Sequence, residues 1–361
     1  MLPDHPSPIS TAALQKAALL GFGYLLANIR DDGSFIYKQK AKTGVISEDY
    51  NILRHAGTLY VLYQNLDADQ LRLSATRLQA AEDYLHRNCV PLKDHPDCLC
   101  VVEKDVAKLG GSALTLLAFI ERYRRQPDPP LLDQMRRLAA FLVWMQGSSG
   151  RFKSKVMPHM LTFLPFHSVY YPGQAILALT RLYAIDPAPR WLQTISTATD
   201  YQVANPIRDS EFVRGHNHWF ATALPEVYAL LPVPKYRQEC WLIARSTASA
   251  SAIPQTKGMT VAQLATRAET LIAAIRLARH LQESGQITTD EYRQTGEWLD
   301  VCDDILHFCL SHQIEQLKPG QEQRMLGGIT NNRENSSVRI DYVQHVLSVV
   351  MGRLALTDSA H

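Results

Sequence analysis

Glu48-Asp49-Tyr50-Asn51-Ile52-Leu53-Arg54-His55-Ala56-Gly57-Thr58-Leu59-Tyr60-Val61-Leu62-Tyr63 opens with acids, places Arg54 and His55 about one turn later, and is then almost wholly apolar for two turns. A helix that is apolar on every side belongs inside a protein, so polar residues confined to its start must face a cavity, a partner or water at one end. The design recurs near the C-terminus in Arg339-Ile340-Asp341-Tyr342-Val343-Gln344-His345-Val346-Leu347-Ser348-Val349-Val350. In both stretches an Asp-Tyr pair precedes a histidine and an apolar run follows.

Working outward, helical periodicity predicts amphipathic helices near 9–29, 68–88, 129–146, 188–203, 234–250 and 289–315. They alternate with more apolar helices near 48–63, 112–123, 172–184, 216–231, 262–282 and 339–355, whose first turns are polar. Turn chemistry such as Asp31-Asp32-Gly33-Ser34 and Gly147-Ser148-Ser149-Gly150 separates them. Cys98 to Asp105 is expected to form at most a short strand or hairpin. About twelve helices in six pairs make a self-repeating all-α chain, for which two arrangements compete. An open solenoid leaves its concave helices half exposed, and these inner helices are too apolar for that. A closed ring of six apolar helices inside six amphipathic ones accounts for both patterns. The expectation is one domain over 1–361, with 1–8 and 356–361 as tails.

Composition excludes several function classes. Lys+Arg 37 against Asp+Glu 35 leaves a net charge of +2, so no global field argues for nucleic acid or an anionic membrane surface. No apolar run is long enough to span a bilayer, and the start of the chain lacks the basic and apolar regions of a secretory signal. A cytoplasmic location is therefore expected, with the six cysteines reduced. Cys98 and Cys100 do not have a zinc spacing. No Walker, Rossmann, kinase or G-x-S-x-G motif occurs. Neither a metal nor a cofactor is expected, and the oligomeric state is left open.

The alternating pattern resembles the (α/α)6 toroid of six-hairpin glycosidases, N-acylglucosamine 2-epimerases, uronate epimerases and some polysaccharide lyases, over nearly the whole chain. Asp31-Asp32-Gly33-Ser34-Phe35 and Gly150-Arg151-Phe152 are also similar to turns of terpene cyclases and prenyltransferases, whose toroids are related. These resemblances are architectural, so function rests on the site.

In such a ring the first turns of the inner helices gather at one mouth. Glu103, Glu269, Asp341, His55, His218 and Tyr342 are the catalytic candidates delivered there. Asp49, Tyr50, Arg54, Lys108, Tyr171, Gln174, Arg214, His216, Asn217, Trp219, Arg267, Arg339, Gln344 and His345 are the binding candidates. Caps and ion pairs can account for individual members. Structural need alone asks for one cap per helix, whereas here separate helices each bring several polar groups. Aromatic rings suit pyranose faces, amides and imidazoles suit hydroxyls, and the arginines suit a carboxylate or sulfate. The expected function is therefore a carbohydrate-active enzyme for an anionic, uronate-like oligo- or polysaccharide. Paired carboxylates would hydrolyse it. If the arginines occupy the acids, a histidine or tyrosine could instead exchange a proton in epimerisation or elimination. A non-catalytic glycan- or protein-binding toroid is the alternative. An isoprenoid enzyme is a second one, with its nearest acids, Asp300, Asp303 and Asp304, on an outer helix.

Overall fold

The computed structural model describes residues 8–206, 217–251, 259–331 and 337–358. In chain order the helices are α1 (Thr11–Ala27), α2 (Ile52–Asn65), α3 (Ala68–Leu73), α4 (Ala75–Arg87), α5 (Leu109–Arg125), α6 (Pro129–Trp144) and α7 (Tyr171–Tyr183). They continue as α8 (Pro189–Ala204), α9 (His218–Leu230), α10 (Pro234–Ala250), α11 (Val261–Glu283), α12 (Thr289–Leu310) and α13 (Ile340–Asp358). Around the inner ring α2 touches α5, then α7, α9, α11 and α13 follow, and α13 returns to α2. The outer ring is α1, α4, α6, α8, α10 and α12, with α1 packed on α13. This closed double ring is the (α/α)6 toroid.

Burial explains which helix goes where. In α5 every residue from Leu109 to Glu121 is buried, whereas α4 buries only Leu78, Ala81, Glu82 and Leu85, a single stripe at helical spacing. Outer helices α6, α8 and α10 each start with proline (Pro129, Pro189, Pro234), whose missing N–H is no loss in a first turn. Capping boxes start α11 (Thr260 with Gln263) and α12 (Thr288 with Glu291).

Connections from an inner helix to the next outer one are short, and those from an outer helix to the next inner one are long. All the long connections therefore lie at the N-terminal end of the inner ring, where they build the mouth. Here the structure holds more strand than the helical pattern implied. β2 (Cys89–Leu92), β3 (His95–Glu103), β4 (Val106–Lys108), β5 (Lys155–Met157) and β6 (Thr162–Phe163) form one antiparallel sheet in that order. The first strand, β1 (Lys38–Lys40), pairs with β7 (Ser337–Arg339), tying the first long connection to the last. The β3–β4 hairpin falls where Cys98 to Asp105 suggested one, whereas the β1–β7 and β4–β5 pairings join different connections and leave little trace in local periodicity. Two boundaries also shift. The outer helix near 68–88 breaks at Ser74, and α13 runs to Asp358, so 356–358 is helical.

Three of the mouth-side turns share one design. Gly33, Gly150 and Gly327 have φ of +83°, +88° and +83°, and each is followed two residues later by a buried apolar residue: Phe35, Phe152 or Ile329. Each glycine also lies against the backbone of the next outer helix, at Ala80 in α4, Thr197 in α8 and Leu20 in α1. The turns that resemble those of isoprenoid enzymes are thus ring fasteners. At the other end of the ring, Arg181 on α7 bonds Glu226 on α9, Glu121 on α5 and the Tyr60 hydroxyl on α2. One buried guanidinium so links four inner helices.

Candidate active site

A cleft of about 590 Å³ opens among the N-terminal ends of the inner helices. Arg54 reaches it from α2, Tyr171 and Gln174 from α7, and His218 and Trp219 from α9. Asp341, Tyr342 and His345 reach it from α13, with Arg339 just before that helix. Sequence reasoning missed Phe166, His167 and Asn331, which line the cleft from irregular connections and carry no periodic signal. Behind His218 and Trp219 lies a second cavity of about 290 Å³, which Glu269 helps to line.

Three candidates converge where the cleft and the second cavity meet. His345 Nδ1 lies 3.1 and 3.2 Å from the two carboxylate oxygens of Glu269. His218 Nε2 is 3.8 Å from Glu269 Oε2, and the two imidazoles meet edge to face at 5.5 Å. The Glu269 carboxylate can only accept, so in the neutral imidazole of His345 Nδ1 carries the proton and Nε2 the lone pair. One donor atom from each of the three lies within 4.8 Å of the others, a spacing that can also hold a divalent ion. No metal was expected from the sequence.

The other acids are taken up. Asp341 receives both Nε and Nη2 of Arg339, at 2.5 and 2.8 Å, and Arg54 Nε lies 3.3 Å away. Burial alone would raise this carboxyl, but Arg54 and Arg339 outweigh it and hold it below the usual range. The Arg339 guanidinium also lies over the Tyr342 ring at 4.4 Å, while burial raises the Tyr342 phenol. Glu103 pairs with Lys108 at 2.7 Å and accepts the Ile52 N–H, so this acid caps α2 and neither partner lines the cleft.

Several candidates are placed elsewhere. Helix α2 begins at Ile52, with Asn51 as its cap, so Asp49 and Tyr50 precede it. Asp49 accepts from the Ser47 hydroxyl in an exposed turn. Tyr50 accepts the Phe35 N–H and donates to His55 Nδ1, while His55 Nε2 donates to the Ala81 carbonyl. His55 is fully buried and stacked on Tyr84, so it belongs to the contact between the rings. Arg267 is buried and bonds the Ala250 carbonyl. Gln344 packs against Gly57 of α2, and Asn217 is the buried N-cap position of α9. Arg214 and His216 lie outside the described residues. As for the isoprenoid alternative, Asp303 is held by Arg353 in a buried pair, at 2.8 and 3.1 Å. The thiols of Cys98 and Cys100 are buried, and burial pushes Cys100 up to about 12.

The His55 relay has a pH consequence. Desolvation lowers its pKa to about 4, against 6.5 for the unfolded chain. Between those values the unfolded state binds more protons, so stability falls as pH is lowered from 6.5 to 4, by about 3 kcal/mol in all. Urea unfolding from pH 7 to 4.5 is expected to show this loss in the wild type and to lack most of it in His55→Gln. Parallel slopes in the two proteins would assign acid lability elsewhere.

No protein-family model matches the chain, and no curated protein matches it. Solved structures do. An unsaturated glucuronyl hydrolase specific for heparin superposes with a TM-score of 0.66 at 13% identity, covering 97% of this chain and 99% of its own. The cellobiose 2-epimerase of Bacillus thermoamylovorans B4167 gives 0.67 at 11%, covering 91% and 95%. A D-mannose isomerase gives 0.66 at 12%, covering 98% and 100%. At such identities the likeness shows the toroid. Among the described residues, no helix is long and apolar enough to cross a membrane.

Proposed function

We propose that this chain is a carbohydrate-active enzyme that moves a proton at the carbon next to the carbonyl or carboxylate of an acidic sugar, with His218 and His345 as the acid/base pair. The observation that carries this reading is the Glu269 carboxylate set between two imidazoles where the cleft and the second cavity meet, while Asp341 and Glu103 are held by cations. A glycosidase of the usual kind uses two carboxylates flanking one bond, one of them protonated. Asp341, held ionised by two guanidiniums, is a poor acid for that purpose. Structural neighbours that include hydrolases, an epimerase and an isomerase support sugar chemistry in general and leave the reaction to the site.

In this reading His345 Nε2 takes the α proton. The electron pair of the broken C–H bond moves onto the sugar oxygen as an enediolate. Two guanidiniums facing one carboxylate leave a surplus positive charge at the mouth, which steadies both the enediolate and a sugar carboxylate. His218 returns a proton from the other side to give the epimer. Tyr171, Trp219 and Tyr342 hold the ring faces.

The test is solvent exchange. Incubation of glucuronate, galacturonate, glucose and mannose in D2O, followed by NMR, is expected to show deuterium entering beside the carbonyl or carboxylate of an acid sugar. The neutral sugars should exchange more slowly, and added salt should narrow the gap. Binding without exchange would favour the non-catalytic toroid, and new reducing ends from oligosaccharides would favour a hydrolase. Exchange lost with EDTA and restored by a divalent ion would make the two histidines and Glu269 metal ligands.

A further inference from the structure

The segment entering β5 carries a feature that the cleft chemistry does not use. From Arg151 to Val156 burial alternates, with Phe152, Ser154 and Val156 inside, Arg151 and Lys153 exposed and Lys155 half-buried. Extended backbone advances about 3.3 Å per residue, so the three cations form a row at intervals of roughly 6–7 Å. The row ends at the cleft, because Lys155 Nζ sits 3.7 Å above the ring of Phe166, a lining residue. Lys153 Nζ lies 5.6 Å above the Phe163 ring, which stacks on Trp144 at 5.2 Å. Across the β4–β5 pairing, Lys108 stands opposite Lys155, but Glu103 already neutralises it. Arg151, Lys153 and Lys155 make no ion pair among the described residues.

Surface lysines normally sweep solvent, and a ligand must then meet the entropy cost of fixing them. These two have aromatic seats, which hold the ammonium groups in register before anything binds. The same segment exposes Met160, Phe163, Phe166 and Tyr170, so ring edges border the row where it meets the cleft. We infer that Arg151, Lys153 and Lys155, with Phe163 and Phe166, form an outer binding track for the distal residues of a polyanionic oligosaccharide whose terminal sugar occupies the cleft. The assignment of a terminal sugar to the cleft rests on the proposed function, while the track rests on this row of cations and rings.

Calorimetric titration at low and high salt, with hexagalacturonate and a heparin-derived hexasaccharide as probes, tests it. The full chain is expected to bind at least one hexasaccharide more tightly than galacturonate, and maltohexaose should not compete. Lys153→Glu, which lies outside the cleft, should weaken the hexasaccharide about tenfold and flatten its salt dependence. The same variant should leave galacturonate binding and its exchange in D2O at wild-type levels. An unchanged hexasaccharide affinity in Lys153→Glu, or no hexasaccharide binding at low salt, would overturn the track. Competition by poly-L-glutamate as strong as by the glycan would also overturn it, in favour of an acidic polypeptide. Failure of the proton-transfer reading looks different: no sugar exchanges, yet the hexasaccharide still binds and still responds to Lys153→Glu.

Discussion

Replacing His345 by glutamine is expected to slow deuterium entry into the best substrate by about 10²–10⁴-fold, the usual effect of removing an essential proton-transfer group. Glutamine can still donate to Glu269, so the carboxylate keeps a partner and the fold should survive; circular dichroism and thermal unfolding check that. His218→Gln should cost a similar factor in epimer formation, while His345 still exchanges the α proton. The two variants should fail differently: with His345 in place the starting sugar still takes up deuterium without epimerising, whereas without it only the epimer can exchange, at His218. Glu269→Gln leaves both imidazoles in place and should cost less, with its effect appearing as a displaced pH–rate profile. Asp341→Asn changes almost no volume and removes a charge that holds Arg54 and Arg339. It should act mainly on substrate affinity, through KM. If Asp341→Asn abolished turnover while His345→Gln stayed within a few-fold of wild type, carboxylate chemistry would replace the histidine pair.

The second large effect concerns the fold. A Cβ at Gly33 would stand 1.9 Å from the Ala80 carbonyl oxygen, at Gly150 2.3 Å from that of Thr197, and at Gly327 1.9 Å from that of Leu20. In each case the obstacle is backbone on the neighbouring outer helix, so no side chain can turn aside. Alanine there meets a left-handed backbone penalty of about 1–2 kcal/mol and an overpacking cost of about 1–3 kcal/mol. Roughly 2–5 kcal/mol per site is a large part of a normal folding free energy of about 5–15 kcal/mol. Urea unfolding of the three variants measures it. Gly285 and Gly320 are internal controls, because their φ is also positive while nothing lies within 4 Å, so alanine should cost only the backbone part. Gly23 and Gly296 sit inside α1 and α12 with open space around the missing Cβ, so alanine there should stabilise by about 0.5–1 kcal/mol. Gly33→Ala no worse than Gly285→Ala would mean that these turns do not fasten the rings.

The ring was legible in the sequence because its cause is local. Runs such as Leu109 to Glu121 and Ile52 to Tyr63 leave no polar face to offer water, and stripes such as Leu78, Ala81 and Leu85 offer one. That contrast assigns each helix to a ring, and the polar first turns of the apolar helices mark the end at which a site can form. The sheet at the mouth was legible only in part: Cys98 to Asp105 suggested a hairpin, but β4 and β5 pair across two different connections, which a local pattern does not reveal. Nor could the sequence say which polar residues are committed to structure. Arg54 lies far along the chain from Asp341, as does Glu103 from the Ile52 N–H it caps, and local spacing is silent about such pairs. His55 and His345 occupy similar positions in two similar helices. One is sealed between Tyr50 and the Ala81 carbonyl, and the other meets Glu269 at the junction of the cleft and the second cavity. By itself the sequence determined a closed ring with a polar mouth, because burying an apolar surface follows from local composition and period. Tertiary structure alone decided which groups remain available for chemistry, because a charge's partner is set by the distances that ring closure imposes between helices remote in the chain.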